Sequence, residues 1–188
     1  IFENIQRGSL DARVVCLISN KPGTGAVEYA EQQNIHSYVV IPKDFPSEDE
    51  FGQELLHILK KHGAEWIILA GYLKKIPDNV VHHYSNRIVN IHPALLPAFG
   101  GKGMYGMHVH EAVFRSGAKI SGVTVHLVNE VYDAGPVVMQ RAVDIEACKN
   151  PEEIAKTVLA TEHQLFSEAL QRLFTIDFKI DFNRVIFE

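Results

Sequence analysis

The strongest constraint on this chain is an alternation. Near-continuous apolar runs at Ala12–Ser19, His36–Ile41, Glu65–Ala70 and Arg87–His92 are separated by segments with helical spacing. Strands covered on both faces are apolar throughout, whereas surface helices carry an apolar stripe recurring every three to four residues. The order strand, helix, strand predicts an α/β fold, with a mainly parallel twisted sheet flanked by helices. Local signals agree. Ser47 is a good N-cap for a helix over Glu48–His62, with Phe51, Leu55, Ile58 and Leu59 on one face and Gly63 closing it. Asn150 caps, and Pro151 opens, a long helix to Phe174. Further helices are predicted over Thr24–Gln33, Pro77–His83 and Met107–Arg115, and Ile1–Arg7 reads as a helix tail ended by Gly8. Ser121–Val128 and Pro136–Val143 alternate as strands, as does Phe178–Phe187. No repeat or linker interrupts the chain, so residues 1–188 read as one domain.

Composition narrows the function. The chain is 46% hydrophobic and 22% charged, enough apolar content for a sizeable core. Its formal net charge of −5 argues against a general nucleic-acid binder. No apolar run reaches the length of a membrane span, and no signal peptide is visible. Cys16, read as a core residue, and Cys148 lack metal-site spacing and suggest a reducing compartment, so the expected address is the cytoplasm.

In open α/β sheets ligands bind beyond the carboxyl ends of strands. Two such ends stand out, Gly71–Ile76 and Asn90–Pro97. In the second, Asn90 and His92 are two residues apart on a strand, so both point to one side. Pro93 and Pro97 then stop regular structure. Some forty residues later, Tyr132-Asp133-Ala134-Gly135-Pro136 offers a carboxylate in a turn. An amide donor, an imidazole and a carboxylate suit acyl-type transfer, which needs a donor at the developing oxyanion and a proton shuttle with a pKa near neutrality. The plainer alternative is that Asn90 and His92 end a strand while Asp133 makes an Asx turn. His126 is either a support for this site or a satisfied core histidine. The pairs His108/His110 and His82/His83 read as helix surface.

The run Asn-Ile-His-Pro-Ala-Leu-Leu-Pro followed by Asp-Ala-Gly-Pro resembles the folate-dependent formyltransferases, a likeness extending from Val14 to His163. It implies a Rossmann-like formyltransferase fold. It also implies transfer of a formyl group from 10-formyltetrahydrofolate, without a metal, to the amine of 5-phosphoribosylglycinamide in de novo purine biosynthesis. Alternatives are a deformylase, a formyltransferase to a different amine such as an aminoacyl-tRNA, or a non-catalytic folate- or nucleotide-binding module. The resemblance makes Asn90, His92 and Asp133 catalytic, with Asp133 favouring the imidazolium of His92. It assigns the folate to the loop Leu73, Lys74, Lys75 and Ile76 on one side, and to Asn129, Glu130, Val131, Tyr132 and Asp133 with Asn90 on the other. It assigns the acceptor to Leu159, Ala160, Thr161 and Glu162, although Leu159 stands where a polar residue is expected. The implied partners are these small molecules, with no nucleic acid or membrane, and the implied state is a monomer or homodimer. The family's first strand and Gly-rich phosphate loop are not found in the sequence, so the phosphate-binding residues are expected upstream of Ile1 and the domain is read as N-terminally incomplete.

Overall fold

The computed structural model describes residues 1–188. Helices are α1 (Phe2–Gln6), α2 (Gly25–Gln32), α3 (Glu48–Lys61), α4 (Asp78–His83), α5 (Met107–Ser116) and α6 (Pro151–Thr175). Strands are β1 (Leu17–Ser19), β2 (Ser37–Val39), β3 (Ile67–Leu69), β4 (Ile88–His92), β5 (Ile120–Leu127), β6 (Val137–Asp144), β7 (Phe178–Asp181) and β8 (Arg184–Phe187). The alternation thus yields the α/β class it predicts. The first three apolar runs form only three-residue strands, and the fourth the five-residue β4. Phe178–Phe187 is two strands, not one, turning at Phe182 and Asn183.

The chain forms two compact units. One comprises Arg13–Ile67 and Lys75–Ser85. In it β1 and β2 pair in parallel, α2 packs on both, and α3 packs on α4. Thr24 caps α2 and Ser47 caps α3 through bonds to Val27 N and Glu50 N. Phe51, Leu55, Ile58 and Leu59 are the buried stripe of α3, each contributing about 1.5–3 kcal/mol by leaving water. Cys16 is half-buried rather than in the core, and its burial raises the thiol pKa.

The other unit comprises Ile1–Ala12, Ile68–Lys74 and Asn86–Glu188, and carries the chemistry-bearing residues. A six-stranded sheet runs in the order β3-β4-β5-β6-β8-β7. β4, β5 and β6 form an antiparallel meander, and β6 pairs β8 in parallel. β5 is buried from Ser121 to Leu127, as a central strand covered by α6 should be. α6 is capped by Asn150, whose side chain accepts from Glu153 N, with Pro151 in its first turn. Its inward stripe is Ile154, Val158, Leu165, Ala169, Leu170 and Leu173. Between Val158 and Leu165 the same spacing selects Thr161 and Glu162, which interrupt the apolar stripe with polar groups.

Candidate active site

β4 ends on the site. Asn90 and His92 project to one face, opposite His126 and Thr124 on β5. The strand then leaves the sheet at Pro93, and a turn carries the chain to Phe99. Thr124 pins that turn: its buried hydroxyl donates to Ala94 O at 2.7 Å and accepts from Leu96 N at 3.0 Å. On the far side, the Asn129–Gly135 turn delivers Asp133 with φ at 54°, a left-handed conformation that Asp tolerates better than most residues. Gly135 makes this turn possible. Any Cβ there would overlap the Leu127 carbonyl, whose strand the turn crosses in close contact.

Four side chains converge. Asp133 places one carboxylate oxygen 3.7 Å from His92 Nδ1 and the other 3.7 Å from His126 Nε2. The first oxygen also accepts from Gly101 N at 2.8 Å. Asn90 Nδ2 lies 3.1 Å from His126 Nε2. His92 is 3% exposed, His126 2%, and the Asp133 side chain 12%.

The bonds fix the hydrogens. His126 Nδ1 lies 2.8 Å from Leu127 O, a carbonyl that can only accept, so Nδ1 carries the proton of the neutral ring. Nε2 is then an acceptor and requires the Asn90 amide nitrogen to face it, leaving the second amide hydrogen of Asn90 for another oxygen. By the same reasoning His92 donates from Nε2 to Phe99 O at 2.9 Å, and its Nδ1 faces Asp133 with a lone pair when neutral. Burial lowers the pKa of His92 below the usual histidine value, and the Asp133 charge and the Phe99 carbonyl offset only part of this. Asp133 therefore favours the imidazolium, but desolvation prevails and the resting ring is neutral. His126 is likewise lowered, mainly by burial.

The remaining expected residues are distributed as follows. Asn129 accepts from Val131 N and shapes the loop, on which Glu130, Val131 and Tyr132 are exposed. Leu73 and Lys74 are exposed beyond β3. Lys75 binds Asp78 at 2.7 Å and supports the start of α4. Ile76 is buried, a core residue of its unit. On α6, Leu159 and Ala160 are exposed while Thr161 and Glu162 are half-buried. Burial raises the Glu162 pKa, the mark of a carboxylate held where an apolar residue would pack. No side-chain bond links these four to the Asn90–Asp133 cluster.

His126, read from the sequence as either a support for the site or a core histidine, bonds directly to Asn90. Two participants escaped sequence reasoning. Thr124 and Gln140 hold the turn, and only strand register reveals them. His108 is exposed, as expected, but His110 is a buried residue of α5, 6% exposed, with Nδ1 lacking a hydrogen-bond partner.

Residues 1–170 match the family described as formyl transferase. The chain belongs to that family. It is 48% identical over 172 residues to a chloroplastic phosphoribosylglycinamide formyltransferase of Arabidopsis thaliana, covering 90% of this chain and 59% of that protein. It is 34% identical over 173 residues to phosphoribosylglycinamide formyltransferase of Bacillus subtilis, covering 92% and 86%. The chain thus spans a little over half the length of the plant relative and most of the bacterial one. Its fold superposes on glycinamide ribonucleotide transformylase 1 of Symbiobacterium toebii with a TM-score of 0.92 at 29% identity, covering 100% of this chain and 86% of the other. No helix of the chain is long and apolar enough to cross a membrane.

Proposed function

We propose that this chain transfers a formyl group from 10-formyltetrahydrofolate to the amine of 5-phosphoribosylglycinamide, a step of de novo purine synthesis. The observation that carries the reading is the buried Asn90–His126–Asp133–His92 cluster in a chain whose relatives are named for this reaction. We also read residues 1–188 as working together as one formyltransferase domain, since the family match runs through both compact units.

The folate co-substrate supplies an acyl carbon bound to nitrogen. Attack by an amine moves charge onto the acyl oxygen, and the free amide hydrogen of Asn90 is a donor suited to that oxygen. One proton must leave the attacking nitrogen and one must reach the departing nitrogen. His92, neutral at rest, can take up that proton at Nδ1, where it becomes an ion pair with Asp133, and then release it. His126 holds the Asn90 amide in the donating orientation. Leu73, Lys74 and the Asn129–Asp133 loop are proposed for the folate, and Leu159–Glu162 for the acceptor. The proposed address is the cytoplasm, although the plant relative is chloroplastic by name.

His92→Ala tests the assignment. Transfer should fall at least about 10²-fold, the lower range for a proton-transfer group, with folate affinity within about twofold of wild type. Unchanged turnover would remove His92 from the mechanism.

A further inference from the structure

Three side chains form a row across neighbouring strands: His92 on β4, Thr124 opposite it on β5, and Gln140 opposite Thr124 on β6. Directly paired residues share a face of the sheet. Thr124 Oγ1 gives its only hydrogen to Ala94 O and accepts from Leu96 N and from Gln140 Nε2, the last at 2.9 Å. Its hydroxyl is thereby saturated. The second hydrogen of the Gln140 amide goes to Leu96 O, also at 2.9 Å. Gln140 is an exposed residue of β6, yet one amide hydrogen goes to Leu96 in the turn that follows His92 and the other to Thr124, which holds that turn.

We propose that Gln140 is a positioning residue for His92, resting on the formyl-transfer reading of the same site. It clamps Leu96 from its carbonyl side while Thr124 holds Ala94 and the Leu96 amide, so the turn leaves β4 along one path. That path also sets where Phe99 presents the carbonyl that fixes the His92 tautomer. The chemistry selects glutamine. Methionine has the reach but no donor. An ionised glutamate presents acceptors to two acceptors, and Thr124 could satisfy it only by withdrawing its hydrogen from Ala94.

The test uses Gln140→Met and Gln140→Glu in the full chain, with steady-state formyl transfer and NMR titration of the His92 ring. Small displacements of a catalytic group can cost up to about 10²-fold. Both variants should therefore lose roughly ten- to hundredfold in kcat. KM for the folate should stay within about twofold, and the His92 resonances and titration midpoint should move. Glutamate should be at least as damaging as methionine, which a packing role would reverse. Thermal melting identifies a variant that fails to fold, and the other then decides. Wild-type kcat, or a loss of kcat with the His92 titration unchanged, overturns the proposal. If the wild-type protein itself transfers no formyl group, the function reading fails separately, and the His92 titration alone decides whether Gln140 positions the ring.

Discussion

Replacing Asp133 by asparagine isolates the charge at the centre of the site. Asparagine adopts the φ of 54° without added strain, and its carbonyl can still accept from Gly101 N at 2.8 Å. The negative charge beside the two imidazoles is lost, and an amide nitrogen takes the place of the oxygen 3.7 Å from His126 Nε2. At 3.7 Å from His92 and an effective dielectric constant of about 20, a unit pair is worth about 4 kcal/mol, an upper figure because both charges are spread over several atoms. A loss of about 2–4 kcal/mol corresponds to roughly 30- to 1000-fold in rate. The sign is set by the environment. Asp133 raises the His92 pKa against a larger lowering by burial, so the variant's pKa moves further down. Steady-state formyl transfer at pH 7.5, combined with NMR titration of His92, reads both effects. A rate within threefold of wild type, or a His92 midpoint that rises, would refute the reasoning.

Two further outcomes follow from the same structure. His92, His110 and His126 are all held below the ordinary histidine pKa, mainly by burial, so the unfolded chain takes up protons first as pH falls through about 6.5. Their contribution to stability is therefore present above that pH and lost below it, and Tm should drop between pH 7.5 and 5.5, with a shallower drop for His110→Leu. A Tm that rises toward pH 5.5, or the same slope in that variant, would contradict this. Gly135→Ala forces a methyl group into the Leu127 carbonyl and should cost at least about 3 kcal/mol, roughly 6–12 °C in Tm. A melt unchanged within 2 °C would show that the turn can move away.

Much of this site was legible because its signals are local. The i, i+2 spacing of Asn90 and His92 guarantees a shared face once the segment is a strand, and β4 is one. The caps Ser47 and Asn150 marked helix starts because side-chain oxygens satisfy free amides there, and both do. What stayed hidden depends on register. Nothing in sequence says that Thr124 lies opposite His92, or that Gln140 lies opposite Thr124. The push of Asp133 toward the imidazolium of His92 is visible in a motif, whereas the desolvation that outweighs it belongs to the packed structure. The ion pair of Lys75 with Asp78 and the burial of Ile76 likewise depend on packing that the sequence does not display.

The most direct test of the central claim follows folate product spectrophotometrically from 10-formyltetrahydrofolate, with and without 5-phosphoribosylglycinamide. Product that forms only with the ribonucleotide present is the predicted result. Product that forms equally without it would make the protein a deformylase, and no product in either case would contradict formyl transfer to this acceptor.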